Sequence, residues 1–274
     1  MRFFSKVTEI IPVLPIDAGV VDPKSKGYAK HSSSLHLERK AGQRESVMQH
    51  FRNILGRTPL RFFGLPGETF GFEILCNSEW KEGMSFVGVE HSPSVLQNAL
   101  IHAPGSRMKQ FSESGLFGWR NSLGTVFCAS LMEFFCRNCE HGRRPQRDRK
   151  LWAQRYKRNN AVWLDFTGNL SEQMANSLMR IGTICDFGTH SVPFCITFSC
   201  GRESSMIMEL INHQTMPFVS PEMRRVCLIE NWLSEGRFRT FRRTNVQIWP
   251  SSKSDNSSVI LLSGILEFVG DRNA

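Results

Sequence analysis

Chemistry in this sequence concentrates at two closely spaced glycines and two acids, each at the end of a short apolar run. Gly64-Leu65-Pro66-Gly67 follows Leu60-Arg61-Phe62-Phe63, and a glycine leaves no Cβ between a backbone and a ligand. Glu68 and Thr69, next in line, can bond polar ligand groups or cap a helix. Glu90 is the lone acid ending Phe86-Val87-Gly88-Val89, a place where a carboxylate can accept both hydroxyls of a ribose. It lies a little over twenty residues beyond Gly67, the length of one strand-helix unit and the next strand. Asp165 leads Asp165-Phe166-Thr167-Gly168-Asn169, where it can position or deprotonate a nucleophile while Gly168 admits a substrate. Each position has a plainer reading too: a Gly/Pro turn at 64–67, a helix-start charge at Glu90, and a cap or Asx turn at Asp165.

These positions need strands to carry them. Val47, Met48, Phe51, Ile54 and Leu55 recur at three and four residues, which predicts a helix over 45–55 closed by Gly56. Leu60 to Phe63 is the first core strand, and Phe70, Phe72, Ile74 and Leu75 begin a helix. Ser85 to Glu90 is the second strand, and Ser92-Pro93 starts a helix with a cap and a proline at its first position. Two runs, 107–111 and 125–129, compete for the third strand. The fourth is Ala161 to Phe166, followed by a helix from Ser171, and the fifth is Pro193 to Phe198, followed by a helix over 203–213. Ser199, Cys200, Gly201 and Arg202 then line the same crevice as Asp165. Ser220-Pro221 opens one more helix, and 245–249 and 258–268 form an antiparallel pair around a polar turn. The fold class is therefore α/β: a mostly parallel open sheet, helices on both faces and a C-terminal antiparallel hairpin. Residues 1–44, rich in Pro, Gly, Ser, Lys and His over 15–45, read as an irregular arm, and 45–274 as one domain with a basic insertion at about 136–159.

A formal net charge of +9 over 274 residues favours polyanionic partners, nucleic acid among them. Arg143, Arg144, Arg147, Arg149, Lys150, Arg155, Lys157 and Arg158, with Trp152 and Tyr156 interleaved, form a segment that can lie against phosphates. Arg237 to Arg243 is a second basic patch. Lys6 and Glu9 interrupt the first apolar stretch short of signal-peptide length, and no later run suffices to span a bilayer. Eight cysteines, several inside apolar runs, read as small buried hydrophobes of a reducing, cytoplasmic compartment. Cys136, Cys139 and His141 make only half of a zinc site, so no metal is expected. A P-loop is absent, and Gly64 to Gly67 is not the G-x-G-x-x-G of dinucleotide enzymes.

With a glycine loop after strand one, an acid ending strand two, an Asp-led loop after strand four and a terminal antiparallel pair, the chain resembles class I, Rossmann-like S-adenosylmethionine-dependent methyltransferases over about residues 58–270. The resemblance implies S-adenosylmethionine as cofactor, with Gly64, Pro66, Gly67 and Glu68 against its methionine end and Glu90 on its ribose. It implies contact of Asp165 with the substrate or the cofactor amine. Leu65-Pro66 stands where the family has a small-x-Gly pattern, and the Pro-Pro-aromatic motif of enzymes that methylate base amino groups is missing after Asp165. A second class stays open: a non-catalytic nucleic-acid-binding or assembly subunit on a degenerate scaffold of the same kind.

Overall fold

The core strands of this chain are apolar on both alternating sets of residues, and this dictates a sheet covered on both faces. In the computed structural model, residues 10–11, 34–67, 69–113, 116–138, 159–181, 191–201, 203–213, 219–235, 239–250 and 258–268 are described. Strand β1 (Ile10–Ile11) precedes helix α1 (Ser34–Leu55), after which β2 (Leu60–Gly64), α2 (Gly71–Glu79), β3 (Met84–Glu90) and α3 (Pro93–Ala99) alternate. Three strands follow, β4 (Lys109–Glu113), β5 (Leu116–Arg120) and β6 (Gly124–Cys128), then α4 (Leu131–Asn138). The chain continues through β7 (Ala161–Asn169), α5 (Glu172–Met179), β8 (Val192–Cys200), α6 (Ser205–His213) and α7 (Pro221–Ser234) to β9 (Arg239–Pro250) and β10 (Ser258–Phe268).

All the described strands form one sheet in the order β1-β9-β10-β8-β7-β2-β3-β6-β5-β4. Only β5 and β10 run against the rest, since each pairs antiparallel with both of its neighbours while the other pairings are parallel. The order reverses direction at β2, whose neighbours are β3 on one side and β7 on the other, which is where such sheets open a crevice at their carboxyl ends. The fold is thus the Rossmann-like, mostly parallel open sheet with a C-terminal antiparallel hairpin.

Side chains alternate cleanly between two cores. Phe63, Val162, Leu164, Phe194, Ile196 and Ile260 pack beneath α4 to α7. On the other face, Phe62, Phe86, Ala161, Trp163 and Cys195 pack beneath α1, α2 and α3 through Val47, Phe51, Phe72 and Leu96. Asn160 ties the starts of β2 and β7 together, its backbone N–H donating to Arg61 O and its side chain accepting from the Arg61 N–H. Ser92 caps α3 through its hydroxyl, as the sequence predicts, and Ser171 and Ser220 cap α5 and α7 in the same way.

Three local expectations change. The first helix begins at Ser34, eleven residues before Glu45, so the last twelve residues of the supposed irregular stretch 15–45 are helical. Both competing runs are strands: β6 is the parallel third strand of the α/β core, and β4 lies at the sheet edge, joined through the unforeseen β5. The fourth α/β strand runs past Phe166 to Asn169, so the segment led by Asp165 is strand and not a loop after it; the C-terminal hairpin joins the sheet through β10, which lies between β8 and β9.

Candidate active site

Register sets the site. Gly64 pairs with Gly88 on β3 and with Trp163 on β7, so Glu90 and Asp165 each stand two residues further along their strands. Side chains repeat at every second residue of a strand, so Glu90 shares the face of Phe86, and Asp165 the face of Trp163. Gly64 faces the same way as Phe62. Gly64 and Glu90 end their strands, and Asp165 is the last residue of β7 in regular register with β8, the strand running on past an irregularity to Asn169; all three lie on the one face covered by α1, α2 and α3.

A Cβ on Gly64 would come within 2.9 Å of the Trp163 carbonyl oxygen, so only glycine fits there. Gly67 has a φ of 61°, in the left-handed region that glycine enters without strain. Pro66 is buried, its ring packed against Gly88, so the loop lies down onto β3. The loop leaves through Phe70, held at a φ of 48° and fully buried in an edge-to-face pair with Phe86, and α2 begins at Gly71. A bulky residue in that region is strained and persists because its ring is fixed in the core. Glu68 lies outside the described residues.

Glu90 is partly buried, and its Oε1 accepts the Ser92 backbone N–H at 2.9 Å, with exposed His91 Nδ1 3.1 Å away. The carboxylate therefore does the helix-start work of the plainer reading while its face stays on the crevice. Asp165 has a stronger partner. Lys40 Nζ on α1 donates to both of its carboxylate oxygens at 2.6 Å. This contact spans 125 residues and is mostly shielded from solvent. The Asx-turn alternative at Asp165 finds no support in these contacts, and the helix cap belongs to Ser171.

Two further buried groups lie beside that pair. Gln43, one turn along α1 from Lys40, is fully buried, and both its amide nitrogen and oxygen lack a hydrogen-bond partner among the described residues. Glu73, in the first turn of α2, is 2% exposed with an unpartnered Oε2. Burial pushes its carboxyl up to about 8, with Arg44 opposing and Asp165 adding to the rise. Arg44 occupies the space above Gly71, where a Cβ would run into its guanidinium. Buried polar atoms are nearly always paired, so unpaired ones gathered beside a crevice mark where a ligand or water completes them. Sequence reasoning missed Lys40, Gln43 and Glu73. The available signal was that Lys40, Gln43, Val47 and Phe51 repeat at helical spacing, which carries the apolar stripe of α1 back into the stretch read as an arm.

The fifth strand, β8, runs on through Ser199 and Cys200, and Ser199 shares the Cys195 face and looks toward the site. Cys200 does not: it is buried in the opposite core with Phe198 and Ile196, so its side chain cannot line the crevice. Arg202 lies outside the described residues, as do Arg143, Arg144, Arg147, Arg149, Lys150, Arg155, Lys157, Arg158, Cys139 and His141. Among the described residues, no helix is long and apolar enough to cross a membrane.

No family model and no curated protein matches this sequence. Solved structures similar to it include an arsenic(III) S-adenosylmethionine methyltransferase from Chlamydomonas reinhardtii, 13% identical with a TM-score of 0.44. That match covers 77% of this chain and 64% of the other, so the chain spans less than two thirds of that protein's length. A geranyl diphosphate C-methyltransferase from Streptomyces coelicolor A3(2) is 11% identical with a TM-score of 0.46, over 89% of this chain and 84% of the other. A 16S rRNA (adenine(1408)-N(1))-methyltransferase from Catenulisporales acidiphilia is 12% identical with a TM-score of 0.43, over 84% and 93%.

Proposed function

We propose that the chain is an S-adenosylmethionine-dependent methyltransferase acting on a polyanionic substrate such as nucleic acid, in the cytoplasm. The observation that carries this reading is the convergence of Gly64, Glu90 and Asp165 on one face at the point where strand order reverses, beside the unpaired buried atoms of Gln43 and Glu73. The residues present fit the cofactor: glycine at 64 keeps the strand end free of a side chain, Glu90 offers a carboxylate to a ribose diol, and Asp165 offers one to an amine. When bound, the cofactor supplies a methyl group already activated by a sulfonium. What the protein adds is orientation, with Glu90 fixing the ribose, the Gly64 to Gly67 backbone the methionine end, and Asp165 aligning the acceptor or the cofactor amine. The net charge of +9 and the segment from Arg143 to Arg158 support a nucleic-acid substrate. Described cysteines 76, 128, 195, 200 and 227 are free, which supports a reducing compartment.

A second reading, a non-catalytic binding or assembly subunit, is favoured by Lys40, which already gives Asp165 a partner within the protein. Thermal denaturation with S-adenosylmethionine separates the two. A bound cofactor at a hundred times its Kd stabilises by about 2.7 kcal/mol, and Glu90→Ala should reduce that gain. No shift at any concentration overturns the enzyme reading.

A further inference from the structure

The geometry points to a second binding pocket, on the edge strands β4 and β5, in which Arg107 and Lys109 take a phosphate of single-stranded nucleic acid and the Arg120 guanidinium, laid over the Phe111 ring, stacks a base. The inference deepens the proposed reading, on which it rests for the polyanionic substrate and not for the cofactor.

The pocket has a volume of about 380 Å³ and is lined by both strands, the residues just before β4 and those just after β5. Its wall is fixed in advance. Asn121 donates to Pro104 O and Ser106 O at 2.8 Å and accepts from the Leu123 and Gly124 N–H groups at 2.9 Å, so one amide spends its whole bonding capacity locking the approach to β4 onto the turn after β5. Arg107 and Lys109 follow on that approach; both are exposed, and neither makes an ion pair among the described residues. Register puts Lys109 opposite Arg120 and Phe111 opposite Gly118, all on one face. A Cβ on Gly118 would stand 2.8 Å from the Phe111 ring, so the ring lies across the glycine. The Arg120 guanidinium sits over that ring, 4.3 Å from its centroid, steered by Glu113 at 3.2 Å and Thr125 at 3.3 Å. A carboxylate thus already answers the charge of Arg120, and its side chain, 39% exposed, offers a plane to stack on. The unanswered charges are those of Arg107 and Lys109 beside it: cations for a phosphate, a plane for a base. Bases inside a duplex are covered by their neighbours, so this combination selects an unstacked strand.

The pocket is separate from the cofactor crevice. Arg120 pairs with Thr125 and Glu90 with Cys128, which sets the pocket about 10 Å nearer the amino end of β6 and, two strands over, about 10 Å across the sheet. Phe111 packs with the core beneath α4 to α7, whereas Glu90 shares the opposite face with Phe86. Because β4 is the last strand of the sheet, a nucleic-acid strand gripped here can pass round that edge toward the crevice.

The test is fluorescence anisotropy of the full chain with a labelled single-stranded RNA of twelve nucleotides, the same strand without bases, and the RNA duplex. The unaltered protein should bind the single strand at least tenfold more tightly than the duplex. Arg107→Gln/Lys109→Gln should lower affinity for the single strand about tenfold and flatten its salt dependence by about one in the slope of log affinity against log salt. Arg120→Lys keeps the charge and removes the plane, so it should cost at least fivefold on the RNA, leave the slope as it was, and change nothing on the strand without bases. S-adenosyl-L-homocysteine affinity, within about twofold of the parent in every variant, shows that each is folded with its crevice intact. Unchanged RNA binding in Arg107→Gln/Lys109→Gln overturns the pocket alone, as does an equal loss on both strands in Arg120→Lys. Binding of a poly-glutamate peptide as tight as that of the RNA, with the same dependence on Arg120, assigns the pocket to an acidic protein and overturns it too. If the unaltered protein binds S-adenosyl-L-homocysteine but no oligonucleotide, the pocket and the nucleic-acid part of the proposed function fall together, while failure of the nucleoside alone overturns the enzyme reading and not the pocket.

Discussion

Pro66 lies on Gly88: the proline Cγ and Cδ are 3.1 Å from where a Cβ on residue 88 would stand. The glycine of the second strand, which appears in the sequence as a break in a strand-like run, is the seat of the first loop. Gly88→Ala keeps an allowed strand backbone, so its effect comes from lifting Pro66 by a few tenths of an ångström. The expected result is a cost of about 1 kcal/mol in chemical denaturation and a severalfold loss of S-adenosyl-L-homocysteine affinity by calorimetry. A stability loss with unchanged affinity would detach this loop from the ligand.

Glu73 sets a pH dependence. Its carboxyl is raised from 4.5 to about 8, chiefly by burial, so the folded state holds a proton that the unfolded chain releases. Stability is therefore highest below pH 4.5 on this account, falls as pH rises to about 8, and is level above that. Glu73→Gln should flatten this fall and leave the protein more stable than the parent at pH 8, by up to a few kcal/mol. Urea denaturation at pH 5, 6.5 and 8 checks it. Parallel curves for the two proteins would mean that Glu73 ionises normally.

On the opposite face of the sheet, Arg225 on α7 holds Glu203 in a two-point contact, at 2.7 and 2.8 Å, with side chains 8% and 1% exposed. Arg225 also donates to Pro221 O, the first residue of its own helix. Removing one partner strands a buried charge, so Arg225→Met should cost about 3–5 kcal/mol, whereas Glu203→Leu/Arg225→Met should recover most of it. Both should bind nucleoside as the parent does wherever they are folded. A double variant as unstable as the single one would show that packing, not charge, is at stake.

The basic segment is tested through salt. Replacing Arg147, Arg149 and Arg155 with Gln should flatten the plot of log affinity for nucleic acid against log salt concentration, since each lost phosphate contact lowers the slope by about one. An unaltered slope assigns these arginines to a solvated face.

Periodicity, caps and strand-end residues were enough to place most elements near the site, because they are local signals: an apolar run buried on both faces, a Ser-Pro start, a glycine after a strand. They located Gly64, Gly67, Glu90 and Asp165, and counting strand-helix units predicted that these would share one end of a sheet. Length and propensity alone did not separate the runs at 107–111 and 125–129. Which of the two joins β3 depends on a pairing partner and not on local sequence, and β5 mixes glycine and a charge with its apolar residues.

The partners of those residues came only from the tertiary structure. Lys40 belongs to a stretch whose composition suggests an irregular arm, and the part of α1 before Glu45 is rich in charged and polar residues, so the extension of the predicted helix back to Ser34 is seen only in the folded chain. Sequence by itself determined that a carboxylate stands in the fourth α/β strand. That an ammonium 125 residues earlier lies against it, and that Gln43 and Glu73 are buried beside it without partners, was decided by packing α1 and α2 on the same face. Burial then turns three ordinary polar residues into a site, because the cost of an unpaired polar group exists only where water is excluded.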